Sequence, residues 1–389
     1  MNYNQRALEV HESSKGKIEV VSKVKLESKD DLSIAYTPGV AEPCRKIASN
    51  PEDVYKYTSK GNLVAVISDG SAVLGLGNIG AKAAIPVMEG KAILFKAFAG
   101  VDAFPICLET QNVDEIVETI VRISPVFGGI NLEDISSPRC VEVERRLKEQ
   151  LDIPIFHDDQ HGTAIVVSAA LINALKIVNK DISNIRIVIN GAGSAGNAIA
   201  RMLVDLGAKN ILSCDRKGIL SRNVKQKNWV QDEIALITNP SGEEGTLADA
   251  LNQADVFIGV SSKDAVSKDM VKSMNSDAIV FAMANPDPEI MPQDALDAGA
   301  RIVGTGRSDF ANQINNVLAF PGIFRGALDA KATDINDAMK IAAVYAIANL
   351  VSEDELCESY IIPSALNKAT SERVAKAVYD AAIESKITR

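Results

Sequence analysis

Short apolar runs of strand length alternate with longer amphipathic segments through the first 157 residues of the chain. Their spacing predicts strands within Leu63–Gly70, Lys91–Lys96 and Asp102–Cys107, and helices over Val113–Ile123 and Ser137–Leu151. Strands that alternate with helices along a chain commonly pair in parallel. We therefore predict an α/β domain over residues 1–157 that contains a small, mainly parallel sheet.

The second half of the chain continues this alternation with clearer, β-branched strands. These strands are predicted at Ile185–Ile189, Ile211–Cys214, Val256–Val260, Ala278–Phe281 and Arg301–Val303. A helical segment, Ala195–Leu206, follows the first of them, as in a dinucleotide-binding βαβ unit. We predict that residues 158–389 form a Rossmann-type, doubly wound NAD(P)-binding domain that ends in a helical tail over Ile335–Thr388.

The segment Thr163–Val178 is apolar on nearly all sides, which predicts a helix buried between the two domains. We find no run of about 18 consecutive apolar residues, and Met1–Val10 lacks the apolar core of a signal peptide. These features predict a cytoplasmic protein with no membrane segment.

Charge and cysteine content narrow the class of ligand. The 389 residues include 41 Lys and Arg against 51 Asp and Glu, a formal net charge of −10. Nucleic-acid binding needs a basic surface that neutralises phosphates, so a small-molecule ligand is expected instead. The five cysteines are widely spaced without a CxxC pair, which predicts reduced, mostly buried thiols rather than disulfides or a structural zinc site.

Two glycine-rich turns match a dinucleotide fingerprint, Gly75–Gly80 and Gly191–Gly196. The second has the better context, because a strand precedes it, a helix follows it, and Asp215 lies about twenty residues on. We assign the cofactor to Gly191, Ala192, Gly193, Ser194, Ala195 and Gly196. The first turn could hold an anion, because glycine amides at a helix N-terminus attract carboxylates.

The choice between NAD and NADP depends on the residues that follow the second Rossmann strand. Asp215 should accept hydrogen bonds from the adenosine ribose hydroxyls and repel a 2′-phosphate, which favours NAD. Arg216 and Lys217 come next and could accommodate that phosphate, so NADP stays open as the cofactor.

Two carboxylate pairs directly follow apolar, strand-like segments: Glu133 with Asp134, and Asp158 with Asp159. Alone, each pair would be typical of a solvated strand end. Together they predict a site for a hard divalent cation, because such ions prefer oxygen ligands. His157 and His161 have the spacing of a zinc site, but the glycine after His161 is more typical of a loop that enters a helix.

Eight motifs follow one another in order between residues 36 and 322, and together they resemble the malic enzymes of the compact bacterial type. The motifs are Tyr36-Thr-Pro-Gly-Val40, Ser68-Asp-Gly70 with Leu74-Gly-Leu-Gly77, Ile85-Pro with Glu89-Gly-Lys91, Leu132-Glu-Asp134, Phe156-His-Asp-Asp159 with Gly162-Thr-Ala164, Gly191-Ala-Gly-Ser-Ala-Gly196, Asn285-Pro286 and Asn315-Asn-Val-Leu-Ala-Phe-Pro-Gly322. A single glycine-rich loop has little specificity, whereas eight ordered motifs are specific.

The resemblance implies oxidative decarboxylation of L-malate to pyruvate and carbon dioxide, with NAD or NADP and Mg²⁺ or Mn²⁺ as cofactors. Its residue-by-residue assignments are Glu133, Asp134 and Asp159 as metal ligands, Lys91 as general base, Tyr36 as general acid, and Asp158 as a carboxylate near the lysine. Asn285 and Asn316 match amides that contact substrate and nicotinamide, with Asn285 also binding the cofactor and Lys91 also contacting the substrate. A homodimer is expected, with residues 1–30 as either a solvated arm or a dimer contact.

One position departs from the pattern of the larger family members. Where they have an arginine that grips the substrate carboxylate, two residues after the Asp-Gly pair, this chain has Ala72. The group that binds this carboxylate is therefore not identified. A lysine base with an ordinary pKa of about 10.4 would be protonated at neutral pH, so we also expect the pKa of Lys91 to be lowered.

Two other functions share part of this pattern. A malolactic-type enzyme keeps the same residues but returns the hydride to pyruvate and releases lactate. An NAD-binding regulatory protein without catalysis would need the dinucleotide turn, but it would have little use for Tyr36, Lys91 and three metal-type carboxylates together.

Overall fold

The computed structural model describes residues 3–389. The first half of the chain contains a small parallel sheet. Its strands are β1 (Leu63–Ser68), β2 (Asp102–Cys107), β3 (Gly129–Leu132) and β4 (Ile155–His157), in the order β2-β1-β3-β4 with every pair parallel. The helices of this half are α1 (Tyr3–Ser14), α2 (Lys29–Ala35), α3 (Ala41–Ser49), α4 (Val54–Tyr57), α5 (Gly80–Ala99), α6 (Val113–Ile123) and α7 (Arg139–Gln150). The predicted small parallel sheet is confirmed.

The segment Lys91–Lys96 is helical, so its prediction as a strand is wrong. It lies within α5, where the buried residues Ala84, Met88, Ala92 and Phe95 recur at intervals of three and four, the period of a helix face. Read locally, the short apolar run after Lys91 cannot be told from a strand. Lys91 therefore lies on a helix, three residues after Met88 and four before Phe95, on the same face as these buried residues.

A second, larger sheet follows in the order β10-β9-β8-β5-β6-β7. Its strands are β5 (Arg186–Asn190), β6 (Asn210–Asp215), β7 (Gly218–Ile219), β8 (Val256–Gly259), β9 (Ala278–Ala282) and β10 (Ala300–Thr305). Only the short β7 pairs antiparallel. The strand order reverses between β5 and β8, which is where a doubly wound sheet binds its ligand, so the predicted Rossmann-type fold is confirmed.

The helices of the second half include the predicted helical tail. They are α8 (Thr163–Val178), α9 (Ser194–Asp205), α10 (Trp229–Ile237), α11 (Leu247–Leu251), α12 (Lys268–Lys272), α13 (Pro292–Asp297), α14 (Phe320–Asp329), α15 (Asp337–Ala348) and α16 (Lys368–Glu384). The tail is interrupted, because no regular helix covers residues 349–367. The division of the chain between residues 157 and 158 stays a prediction.

Helix α8 is buried, as its apolar surface predicts. With the π-helical turn before it, it forms one segment, Asp158–Val178, that is long and apolar enough to cross a membrane by length and composition alone. Ser168, Asn173 and Lys176 interrupt this segment, so it is apolar on average without being an unbroken run of about 18 apolar residues. Residues 164–171 are all buried, and the helix packs against α9 and α15, so the protein interior accounts for its apolar surface.

Aromatic contacts join α5 to the C-terminal helices. The ring centroid of Phe95 lies 4.7 Å from that of Phe320 and 5.3 Å from that of Phe324, both edge-on. Such contacts add to the energy of apolar burial. They hold the helix that carries Lys91 against α14 at a defined distance.

The five cysteines are all unpaired thiols, as predicted, but they are not mostly buried. Cys140 and Cys214 are buried and Cys107 is half-buried, whereas Cys44 and Cys357 are exposed. Scattered cysteines carry no periodicity that would reveal which face of an element they occupy.

Candidate active site

A cleft of about 850 Å³ collects the chain segments that follow β3, β4, β5, β8, β9 and β10. The residues from the first sheet that line it include Glu133, Asp134 and Asp159, while Ser194 and Asn285 come from the second half. Parallel strands present their carboxyl ends at one edge, which is where ligands bind in such sheets. The two halves therefore face one cleft with their ligand-binding edges.

The predicted metal carboxylates converge at this edge. Strands β3 and β4 pair in parallel with Leu132 level with His157, so the residues after each strand become neighbours. Ligand atoms of Glu133, Asp134 and Asp159 lie within 4.8 Å of one another. The backbone N–H of Asp134 also donates to Oδ2 of Asp159 at 2.8 Å, which fixes the two carboxylates relative to each other.

The carboxylate cluster is electrostatically strained and suits a cation. Burial and the neighbouring Asp159 raise the pKa of Asp134 to about 8, and burial raises the pKa of Glu133 well above its usual value despite Lys91. Oδ2 of Asp134 is buried without a hydrogen-bond partner. Three clustered carboxylates with an unsatisfied oxygen are the donor set that a hard divalent ion prefers, so the residues fit Mg²⁺ or Mn²⁺.

Lys91 lies beside the carboxylate cluster. Its Nζ is 2.9 Å from Oε1 of Glu133 and 2.6 Å from Oδ2 of Asp158, and it stands 4.2 Å from the ring centroid of Phe320. Burial opposes the charge of Lys91, but Asp158 and Glu133 stabilise it more strongly, so its pKa lies well above the usual value. This direction is opposite to the expected lowering.

Asp158 is fully buried and forms an ion pair with Lys91. Its Oδ2 also accepts from the side-chain amide of Asn316 at 3.1 Å. A side chain at Gly162 would clash with Oδ1 of Asp158, so only glycine fits at this position after His161. The π-helical turn thus places Asp158 in contact with Lys91 and Asp159 in the carboxylate cluster.

The two histidines do not form a zinc site with the carboxylates. Nε2 of His161 contacts Glu144 at 2.9 Å, and burial lowers the pKa of His161 to about 4 despite Glu144. His157 is buried, with Nδ1 3.8 Å from Oδ2 of Asp159. Among residues 3–389, the carboxylate cluster is the one group with the geometry of a metal site.

The glycine turn after β5 has the geometry of a pyrophosphate cradle. Gly191 has φ +119°, and a side chain there would come within 2.5 Å of the Val260 carbonyl oxygen. A side chain at Gly196 would clash with the Gly191 carbonyl oxygen, whereas nothing lies within 4 Å of a side chain added at Gly193. These are the three glycine roles in dinucleotide binding: a tight turn, open access for the ligand, and close helix packing.

The residue predicted to contact adenosine, Asp215, is at the end of the second strand of the Rossmann sheet, and its role stays a prediction. Asp215 is the last residue of β6, half-buried, and its Oδ1 accepts from the backbone N–H of Lys217 at 2.7 Å. The side chains of Arg216 and Lys217 are exposed. The predicted ribose acceptor and two exposed cationic side chains are thus neighbours at one turn.

The amides that the resemblance assigns also face the cleft. Asn285 and Asn316 both line it, as does Ala72. The first glycine-rich turn closes one end, since a side chain at Gly75 would come within 2.6 Å of the Asn285 carbonyl oxygen. That turn contacts the loop after β9, and the cofactor assignment to the second turn stays a prediction.

Tyr36 is the one assigned residue that lies away from the others. It caps the end of α2 with 67% of its surface exposed, and it is not among the residues that line the cleft. The structure of the single chain therefore brings Lys91, Asp158 and the carboxylates together without the assigned acid.

Several residues of the site were missed in the sequence. Glu289 is fully buried and accepts from the backbone N–H groups of Ser261 and Ala284 at 2.7 and 3.0 Å, which ties together the loops after β8 and β9. Lys17 and His11, from the N-terminal arm, also line the cleft. Only their tertiary position marks them, because a polar arm carries no local signal of a binding site.

Comparison with known proteins agrees with this geometry. The family model of the malic enzyme N-terminal domain matches residues 15–148, and that of the malic enzyme NAD-binding domain matches residues 160–383. The bifunctional malic/malolactic enzyme of Bacillus subtilis is 58% identical, covering 100% of this chain and 95% of its own length, and the NAD-dependent malic enzyme of Geobacillus stearothermophilus is 56% identical, covering 96% and 78%. The crystal structure of malic enzyme from Pyrococcus horikoshii is 50% identical, covers 100% of this chain and 92% of its own, and superposes with a TM-score of 0.95.

The chain joins a parallel-sheet domain to a Rossmann-type domain, and its dinucleotide turn faces buried carboxylates and a lysine. This combination defines a nicotinamide-dependent oxidoreductase. Within that class, the chain belongs to the malic enzyme family.

Proposed function

We propose that this protein binds L-malate and a divalent cation in the cleft and oxidises malate to pyruvate and carbon dioxide. The proposal rests on three sets of residues that lie around one cleft. The carboxylate cluster, the Lys91–Asp158 pair and the dinucleotide turn all open onto the same cleft. This is the set that hydride removal from a hydroxy acid next to a metal ion requires.

Lys91 is the proposed base for the C2 hydroxyl of malate. It must be neutral to accept a proton, yet Glu133 and Asp158 favour its charged form in the protein alone. Glu133, Asp134 and Asp159 would hold Mg²⁺ or Mn²⁺, and the ion would partly neutralise the negative charge of Glu133 that favours charged Lys91. The ion would also supply positive charge to stabilise the enolate that remains when carbon dioxide leaves. Asp158 and Phe320 then hold the Lys91 amine in place, and the amides of Asn285 and Asn316 orient substrate and nicotinamide.

The direct test is malate-dependent reduction of NAD and NADP by the purified protein, with and without Mn²⁺. We expect reduced cofactor and pyruvate in equal amounts, and we expect the reaction to need the metal. Reduction that continues unchanged in the presence of a chelator would contradict the proposed role of the carboxylate cluster.

A malolactic reaction is the second candidate, and the similarity to a bifunctional malic/malolactic relative favours including it. In that reaction the hydride returns to pyruvate before release. Lactate would then accumulate without net NADH. Measuring both products in one assay separates the two reactions.

NAD is the proposed cofactor, because the carboxylate of Asp215 stands at the end of β6 where a 2′-phosphate would lie. Replacing Asp215 by serine removes this repulsion and leaves Arg216 and Lys217 beside the phosphate. We expect the ratio of kcat/KM for NADP to that for NAD to rise by at least about tenfold, the effect of a charge contact worth 1.4 kcal/mol. Asp205→Ser, outside the turn, serves as the control, and an unchanged ratio would show that other residues set the preference.

A homodimer is the proposed assembly. Apolar side chains of the N-terminal segment are exposed to an unusual degree: Val20 86%, Ile34 74%, Tyr36 67% and Leu32 55%. Clustered apolar exposure of this kind commonly marks an interaction surface. Because Tyr36 lies on this segment and away from its own cleft, we propose that it reaches the cleft of the partner chain.

Hybrid dimers test this arrangement. A dimer with one Tyr36→Phe chain and one Lys91→Ala chain would keep one complete site if Tyr36 acts across the interface, because a twofold interface exchanges the same contacts in both directions. We expect about half the parent activity per dimer, whereas each variant alone should be nearly inactive. A hybrid that stays inactive would place Tyr36 within its own chain, and Tyr57→Phe controls for loss of an exposed phenol.

A cytoplasmic location without membrane or nucleic-acid partners completes the proposal. The formal charge of −10 and the burial of the apolar segment Asp158–Val178 support it. Fractionation of cells that express the protein would test the location.

A further inference from the structure

The cleft has a charge requirement that the assigned residues leave unmet. Malate carries two carboxylates, and Ala72 stands where the larger family members have an arginine. Among the described residues that line the cleft there is no arginine, and its basic side chains are Lys91, Lys17 and His11. Lys91 is already engaged with Glu133 and Asp158, so it is not free to bind a carboxylate as well.

The chain places Lys17 at the cleft by a specific turn. Gly16, at φ +98°, reverses the chain after α1, and a side chain there would come within 2.9 Å of Oε1 of Glu89. The backbone N–H of Lys17 donates to Oε2 of Glu89 at 3.0 Å. This contact fixes the arm on α5, two residues before Lys91.

The side chain of Lys17 is directed along the same helix. Its Nζ donates to the Pro86 carbonyl oxygen at 2.6 Å, and a side chain at Gly90 would come within 3.3 Å of that nitrogen. The absence of a side chain at Gly90 therefore leaves room for the Lys17 ammonium against α5, at the residue before Lys91 in the chain. An ammonium has three N–H donors, so two remain after the bond to Pro86.

The surroundings of Lys17 favour an anionic partner. Burial lowers the pKa of Lys17, while the nearby Glu89 opposes this change. The Lys17 ammonium is thus partly removed from water, and Glu89 compensates its positive charge only in part. An anion that accepts hydrogen bonds from its remaining N–H donors would stabilise the charged form. An exposed surface lysine would not have this property.

We propose that Lys17 binds the C1 carboxylate of malate. It would thus replace the arginine that the larger family members have at the position of Ala72. This inference rests on the proposed function, because it names the group that recognises one end of the proposed substrate. The C1 carboxylate is kept in pyruvate. The C4 carboxylate leaves as neutral carbon dioxide, and a cation bound to it would stabilise its charge and oppose its departure.

The test is the kinetics of Lys17→Met, which removes the charge and keeps the length of the side chain. Loss of one charge-assisted hydrogen bond is expected to raise the KM for malate about 10- to 100-fold. The change should leave kcat within about threefold, since this contact is present in both the ground state and the transition state. The KM for NAD should not change, and Lys17→Arg should keep the parent KM for malate.

Two inhibitors distinguish substrate recognition from a structural effect. Lactate keeps the C1 carboxylate and the C2 hydroxyl, so its inhibition should weaken in Lys17→Met by the same factor as malate binding. 3-Hydroxypropanoate keeps the C2 hydroxyl and the C4 carboxylate but lacks the C1 carboxylate, so its inhibition should not change. Lys25→Met, an exposed lysine on the same arm, is the matched control and should behave as the parent.

Three results would overturn the assignment: an unchanged KM for malate, a weaker inhibition by 3-hydroxypropanoate than in the parent, or a fall in kcat alone. Should Lys17→Met not fold, as judged by its melting temperature and NAD binding, Lys17→Gln supplies a second neutral side chain. A parent protein that does not oxidise malate would overturn the proposed function itself, whereas an active parent with an indifferent Lys17→Met overturns this assignment alone.

Discussion

Lys91→Ala is expected to lower hydride transfer from malate by about 10²- to 10⁴-fold, the usual contribution of one positioned base. Nζ of Lys91 lies 2.6 Å from Oδ2 of Asp158 and 2.9 Å from Oε1 of Glu133, so the amine stands beside the carboxylate cluster. The measurement is the single-turnover rate of NADH formation with saturating malate and Mn²⁺. Small primary amines should restore part of the rate, because they can enter the space and accept the proton.

The control for Lys91→Ala lies on the same helix. Lys96→Ala removes an exposed lysine whose partner is Asp102, and it should keep the parent rate. Removing Lys91 also leaves Glu133 and Asp158 without their cation, which destabilises a buried site. Melting temperature and NAD binding must therefore be measured, and a folded Lys91→Ala protein with full activity would exclude the lysine as base.

Asp159→Ala should abolish turnover that depends on Mg²⁺ or Mn²⁺ while NAD binding stays intact. Asp159 shares the carboxylate cluster with Glu133 and Asp134 and accepts from the Asp134 backbone, whereas the proposed dinucleotide site is the separate turn Gly191–Gly196. Changes to residues that only support a metal ligand cost about 10- to 100-fold in affinity, so loss of a direct ligand should weaken Mn²⁺ binding by at least about 100-fold.

Mn²⁺ binding can be followed apart from activity, by the electron paramagnetic resonance signal of the free ion. NAD binding by the same variant is measured by calorimetry. Asp152→Ala, an exposed aspartate just before β4, is the matched control and should bind both ligands normally. Full Mn²⁺ affinity in Asp159→Ala would remove this residue from the ligand set.

The dinucleotide turn is the part of the site most readable from sequence. Its glycines act through backbone geometry over six consecutive residues, and the space around Gly191, Gly193 and Gly196 fits the glycine fingerprint that the sequence shows. Likewise, the two carboxylate pairs follow apolar strands, and parallel pairing brings such positions to one edge. Short-range patterns and pairing rules are sufficient for features of this kind.

The environment of Lys91 could not be read in the same way. Its helix was mistaken for a strand because Ile93-Leu-Phe95 is apolar over a length too short to show a period. Its pKa depends on Glu133 and Asp158, which lie 42 and 67 residues further along the chain. Electrostatic balance is a sum over spatial neighbours, so no local pattern contains it.

Local patterns thus specify the two α/β halves, the glycine turn and the order of the carboxylates, because each depends on neighbours within one strand or turn. The tertiary structure alone decides that Lys17 enters the cleft, that Tyr36 stays outside it, and that Glu289 holds two loops. These placements depend on how an arm, a helix end and a loop pack against distant elements. Contacts between residues far apart in the chain form only once the whole fold has closed.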